Sequence, residues 1–116
     1  MSNNNTTYYY RRRKNGKVID QFTLNGKTYS IRLTAHAKQR LQDRNLDLFQ
    51  VTGSILSLGQ KTITDYSGSN RDIFIMDKVN NFSIVCNIEN CTIMIVTVID
   101  SADCWVKNGT IAVKLQ

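Results

Sequence analysis

The chain has no proline among its 116 residues, and that absence excludes no function. Other scarcities exclude more. There are three cysteines and one histidine. The cysteines, Cys86, Cys91 and Cys104, form no Cys-x-x-Cys pair, and a single histidine cannot complete a zinc site, so no metal and no cofactor is expected. Their odd number fits reduced thiols in a cytosol-like, cytoplasmic setting, with Cys86 and Cys91 acting as small apolar residues in strands. The most membrane-like apolar run, Thr92 to Ile99, is far too short to span a bilayer. The opening MSNNNTTYYYRRRK lacks the apolar segment of a secretory signal. No glycine-rich phosphate loop, nucleophile elbow or conspicuous carboxylate pair is present.

Hydrophobic residues make up 41% of the chain, as expected of one globular domain. The formal charge of +6 is unevenly spread. Arg11, Arg12, Arg13, Lys14 and Lys17 fall in a stretch without an acid, and the remainder is nearly balanced. Residues 1–15 are therefore read as a disordered basic tail, and residues 16–116 as a single domain. Tyr10 beside Arg11, Arg12, Arg13 and Lys14 is suited to stacking on bases and gripping phosphates without sequence preference.

Two strands, Lys17 to Leu24 and Lys27 to Leu33, flank Asn25-Gly26, a strong hairpin signal. A helix is expected from Thr34, as N-cap, to Arg44, closed by Asn45 in a left-handed conformation. A second should run from Leu48 to Leu58 behind the cap Asp47, with Val51, Ile55 and Leu58 buried and Gly59 ending it. Lys61 to Tyr66 then reads as a strand. Arg71 to Val79, Phe82 to Ile88 and Cys91 to Ile99 read as an antiparallel meander, the last strand central and covered on both faces. Asn108-Gly109 suggests a closing hairpin within Trp105 to Leu115. The fold class is α+β: two helices on one face of an antiparallel sheet of four or more strands, with a hairpin added at each end.

The chemistry concentrates on the first helix. His36, Arg40 and Arg44 recur at four-residue steps and share one face, while Leu33, Ala37 and Leu41 form the stripe to be buried. An imidazole among guanidiniums suits a phosphodiester. RNA cleavage without metal needs a base for the 2′-hydroxyl, cations for the phosphorane and an acid for the departing 5′-oxygen. His36 can be base or acid, and Arg40 can grip phosphate oxygens. Arg71, opening a strand, and Thr97, a hydroxyl within an apolar strand, are the candidates to complete a catalytic set, with Arg44 supporting RNA binding.

The segment His36-Ala37-Lys38-Gln39-Arg40-Leu41-Gln42-Asp43-Arg44-Asn45-Leu46 resembles the H-A-x-x-R-(L/M)-x-x-R-x-(I/L) helix of a widespread family of small bacterial and phage proteins of unknown function related to RelE- and BrnT-type toxins. Val51 in the next helix, Arg71 opening a strand and Thr92 to Ile99, similar to I-x-x-V-T-V-Y, extend the resemblance over about residues 30–100. Ile99 stands where the family's aromatic usually falls. The resemblance implies the barnase–EndoU–colicin–RelE ribonuclease fold, helices packed on a four-stranded antiparallel sheet. It also implies metal-independent RNA cleavage, with His36, Arg40, Arg44, Arg71 and Thr97 at active-site positions.

The leading expectation is a small metal-independent endoribonuclease of toxin or phage-accessory type, acting on RNA in the cytoplasm and answering to a cognate antitoxin. The alternative is a non-catalytic binding protein, an inhibitor or regulator from a mobile element, that grips nucleic acid or a host protein on the same scaffold. A third reading is a homodimer formed through exposed strand edges.

Overall fold

Asn25 and Gly26 both adopt positive φ, 53° and 77°. That is the geometry that lets a two-residue turn follow the natural twist of its strands. It joins β1 (Lys17–Leu24) to β2 (Lys27–Leu33), the expected hairpin at the expected bounds. The computed structural model describes residues 17–69 and 71–115. The proposed basic tail, including Tyr10, Arg11, Arg12, Arg13 and Lys14, lies outside the described residues.

Three helices follow: α1 (Ala35–Asp43), α2 (Leu48–Leu56) and α3 (Gly59–Tyr66). Asp47 caps α2 by accepting the Phe49 N–H at 2.8 Å. Asn45 is left-handed, with φ 52°. The third helix corrects the expected strand at Lys61 to Tyr66. Thr62, Ile63 and Thr64 read locally as extended, but only Ile63 of α3 is buried. The segment bridges α2 to the next strand, and its apolar anchoring is met by a helix of about two turns that carries a Lys61–Asp65 ion pair at 2.8 Å. Gly59, with φ 84°, therefore turns the chain between two helices.

Then come β3 (Asp72–Asp77), β4 (Phe82–Glu89), β5 (Thr92–Ile99) and β6 (Ile111–Leu115). The sheet has six strands in the order β1-β2-β5-β4-β3-β6. The expected antiparallel sheet is in fact mixed: β2 runs parallel to β5, and β6 parallel to β3. The expected C-terminal hairpin is also absent. Asn108-Gly109 does turn, but Trp105 to Lys107 is not a strand, and β6 pairs with the outer edge of β3. That pairing carries Ile111 into the core, which a separate local hairpin would not do.

Eight isoleucines are fully buried, and seven of them stand on strands, where branching at Cβ packs well on a pleated surface. Ile31, Ile73, Ile75, Ile84, Ile88, Ile93 and Ile95 form the floor on which Ala37, Leu41, Val51, Ile55, Leu58 and Ile63 of the helical layer sit. Cys86 belongs to this floor, and burial pushes its thiol up to about 12, so it stays protonated. On the second face, residues 100–110 cross from β5 to β6, held where the Ser83 hydroxyl donates to the Ser101 carbonyl at 2.6 Å. Met76 and Met94 are buried, so β5 is central and covered on both faces as expected.

Cys91 is not a strand residue. With Asn90 it makes the β4–β5 turn, both at positive φ, 51° and 58°. A left-handed conformation costs about 1–2 kcal/mol in any residue with a Cβ. Cys91→Gly should remove that strain, lose a little packing against the core, and raise Tm by a few degrees in thermal unfolding. An unchanged or lower Tm would contradict the strain argument.

Candidate nucleic-acid interface

Helix α1 is placed by a single hydroxyl. Thr34 Oγ1 accepts the Ala37 N–H at 3.0 Å, capping the helix, and donates to the Val96 carbonyl at 2.9 Å. Val96 is the extra residue of a β-bulge in β5, because Val85 pairs with Thr97 while Cys86 pairs with Ile95. The Thr34 N–H donates to the Ile95 carbonyl at 3.1 Å, so the helix starts on the bulge. Thr34→Val should cost about 1–2 kcal/mol in urea unfolding, and Thr34→Ser should restore most of it.

From that start, Ala37 and Leu41 face the core and His36, Arg40 and Arg44 line one flank, as expected of the spacing. His36 is exposed and Arg40 half-buried. Arg40 Nε donates to His36 Nε2 at 3.4 Å, so the imidazole presents its lone pair to the guanidinium. Arg44 Nη1 meets Asp100 Oδ1 at 2.8 Å, just beyond the end of β5. That pair ties the far end of α1 to the sheet, contributes at most about 1 kcal/mol, and sets a carboxylate in competition with any phosphate for Arg44.

The other two candidates lie elsewhere. Arg71 precedes β3, and its guanidinium donates to the Gly109 carbonyl, on the β6 side of the sheet. Its own carbonyl accepts from Asn87 Nδ2 at 3.1 Å. Register puts this point level with Met94, whereas α1 is fastened at Ile95, Val96 and Asp100. Arg71 thus lies on the β3–β6 side of the sheet, across β4 from the strand β5 to which α1 is fastened. Thr97 sits opposite Val85, between the core residues Ile84 and Cys86 of the neighbouring strand, and so faces the side without helices. In an unbroken strand it would share the helical face with Ile93 and Ile95; the bulge at Val96 turns it over. The structure brings His36 and Arg40 together, holds Arg44 to Asp100, and separates Arg71 and Thr97 from them.

Sequence reasoning missed two features. The first is a groove of about 600 Å³ along the opposite flank of α1, walled by Ile19, Leu33, Leu41, Leu46 and Leu48, with Lys38 and Gln42 at its polar side. Its walls come from β1 (Ile19), β2 (Leu33), α1 (Leu41) and the passage into α2 (Leu46 and Leu48). The second is a buried polar centre between α2 and the β3–β4 turn. Asp77 is 3% exposed and accepts from the Ser54 hydroxyl, from the Asn80 N–H at 3.0 Å and from Asn80 Nδ2 at 2.9 Å. Its signal was Ser54, a polar residue within the buried face of α2. Among the described residues, no three His, Cys, Asp or Glu side chains gather as a metal ion would require. None of the described helices is long and apolar enough to cross a membrane.

Residues 33–100 match DUF4258, a domain family of unknown function. The chain belongs to this family. No curated protein and no solved structure matches the chain. The DUF4258 region runs from the last residue of β2 to the residue after β5. It therefore contains α1 to α3, β3 to β5 and all of His36, Arg40, Arg44, Arg71 and Thr97. β1, β6 and all of β2 but Leu33 lie outside it. DUF4258 has no stated activity, so membership assigns none.

Proposed function

We propose that this chain is a small RNA-directed endoribonuclease of toxin or phage-accessory type, with His36 and Arg40 as its reacting pair. The observation that carries the reading is their contact on an accessible flank: His36 Nε2 lies within hydrogen-bond reach of the Arg40 guanidinium, a permanent cation. In the reaction, His36 Nε2 takes the proton of an RNA 2′-hydroxyl, and that oxygen attacks the adjacent phosphorus. Arg40 turns from the imidazole to the phosphorane and stabilises its charge. The bond to the 5′-oxygen breaks, that oxygen takes a proton from the imidazolium or from solvent, and a 2′,3′-cyclic phosphate remains. The requirement for a 2′-hydroxyl makes DNA an inert substrate. The resemblance of the α1 motif to the RelE- and BrnT-related families supports this reading. The working compartment in this reading is the cytoplasm, and a cognate antitoxin is its natural partner.

The test is incubation of the full chain with one structured and one unstructured RNA in the presence of a chelator, against His36→Ala. Cyclic-phosphate ends that appear with wild type and vanish with the variant are expected. Equal cleavage by both proteins, or none by wild type, overturns it. One observation favours a second reading, a non-catalytic binding protein: Arg71 and Thr97 stand apart from the pair. RNA bound but uncut by wild type is the result that reading requires.

A further inference from the structure

The outer face of α2 carries Phe49, Gly53 and Leu56, which fall on one stripe by helical spacing. Phe49 is 88% exposed and Leu56 47%. Gly53 sits in mid-helix, where glycine is about 1 kcal/mol worse than alanine. Nothing inside the fold asks for it: a Cβ built there meets no atom within 4 Å, and its φ is not left-handed. Beside it opens a cleft of about 520 Å³ bounded by Ser57, Val79, Asn80 and Leu115, and Val79 is itself exposed. The face is thus a projecting aromatic, a notch one turn further on, and an aliphatic rim.

We propose that this face binds a second copy of the chain, two α2 helices crossing antiparallel about a twofold axis close to Gly53. Phe49 and Leu56 lie at nearly equal distances on either side of that point. An antiparallel crossing therefore sets Phe49 of each protomer against Leu56 of its partner, and the absent Gly53 side chains let the two backbones approach. With Gly53 on the axis, notch meets notch and each Phe49 meets the partner's Leu56, so the one stripe pairs with itself, which is what a twofold interface needs. Charge favours the same occupant. No charged residue occurs from Leu48 through Gln60. Two copies of a chain with net charge +6 can meet here without opposing charges in the contact, and their helix dipoles run opposed. RNA or an anionic lipid surface would want cations beside the stripe, and α2 supplies none.

The experiment is sedimentation of the full chain over a concentration series, for wild type, Phe49→Asp and Gly53→Ala, with thermal unfolding at the lowest concentration. Wild type should show a concentration-dependent dimer. Phe49→Asp should weaken it at least about tenfold and leave the fold intact. Gly53→Ala should move two readouts in opposite directions: weaker dimerisation, yet a Tm higher by a few degrees in the dilute monomer. A wild-type chain that stays monomeric at hundreds of micromolar overturns the proposal and leaves the face to a different protein. A dimer indifferent to both substitutions overturns it in favour of another interface, such as the β1 or β6 edge.

Discussion

His36→Ala is expected to lower metal-independent RNA cleavage by about 10²- to 10⁴-fold, the usual range for loss of a proton-transferring side chain. The protein should remain folded, because His36 is exposed on α1 and its ring meets the half-buried Arg40 side chain of the same helix and not the core. Arg40→Ala should cost about 10²- to 10³-fold through lost stabilisation of the phosphorane. The double variant should be little worse than His36→Ala, since two groups acting on one transition state do not contribute additively. Arg71→Ala and Thr97→Val distinguish a pair from a larger centre. If all four residues worked together, each of these would cost as much as His36→Ala. With Arg71 bonded at the β6 edge and Thr97 on the other face of the sheet, neither should change the rate by more than about twofold. A large loss in either would show that the working molecule adopts a different arrangement around α1. Single-turnover assays with excess enzyme keep chemistry separate from substrate release.

Local signals in the chain were read correctly where the physics is local. Asn25-Gly26 fixes a hairpin because both residues tolerate positive φ; Thr34 and Asp47 start helices because their side chains accept bare N–H groups, and Asn45 closes one because it tolerates a left-handed backbone. The His36–Arg40–Arg44 flank follows from helical spacing alone. Errors arose where a distant partner decides. Thr62-Ile63-Thr64 has strand-like branching, yet the chain needs a helix there to span from α2 to β3. Residues 111–115 are drawn to the outer edge of β3, thirty-eight positions earlier at Ile73↔Ile111, and no local pattern announces that. The face that Thr97 occupies is hidden for a subtler reason. Ile93 to Val98 is apolar on both faces, so alternation gives no parity, and the bulge at Val96 reverses what parity there is. The candidate site was therefore legible as a helix flank but not as a pocket.

The largest effect on stability should come from Asp77, which contributes nothing to the proposed chemistry. Asp77→Ala is expected to cost about 3 kcal/mol, because it removes the acceptor of the buried Ser54 hydroxyl and of the half-buried Asn80 backbone and side-chain donors and leaves a void beside them. The single Ser54 hydroxyl proton can turn to the Gln50 carbonyl 3.1 Å away, so the loss falls mainly on Asn80 and on the packing of α2 against the β3–β4 turn. Asp77→Asn should cost about half as much, since one amide oxygen still accepts while the new NH₂ opposes a donor. The pH dependence discriminates between polarity and charge. Desolvation acts to raise the Asp77 pKa, but the bonds from Ser54, Asn80 and the Val79 N–H together outweigh it and hold the carboxyl below its ordinary value. A depressed folded-state pKa means that the unfolded chain binds the proton first. The stabilisation is therefore complete above the unfolded value, about pH 4, and is lost as pH falls through the lower folded value. Urea midpoints of wild type and Asp77→Asn should differ by a constant amount above about pH 5 and converge below about pH 4. A gap that widens on acidification would mean that Asp77 is protonated in the native state, and that the hydrogen bonds of this centre run the other way.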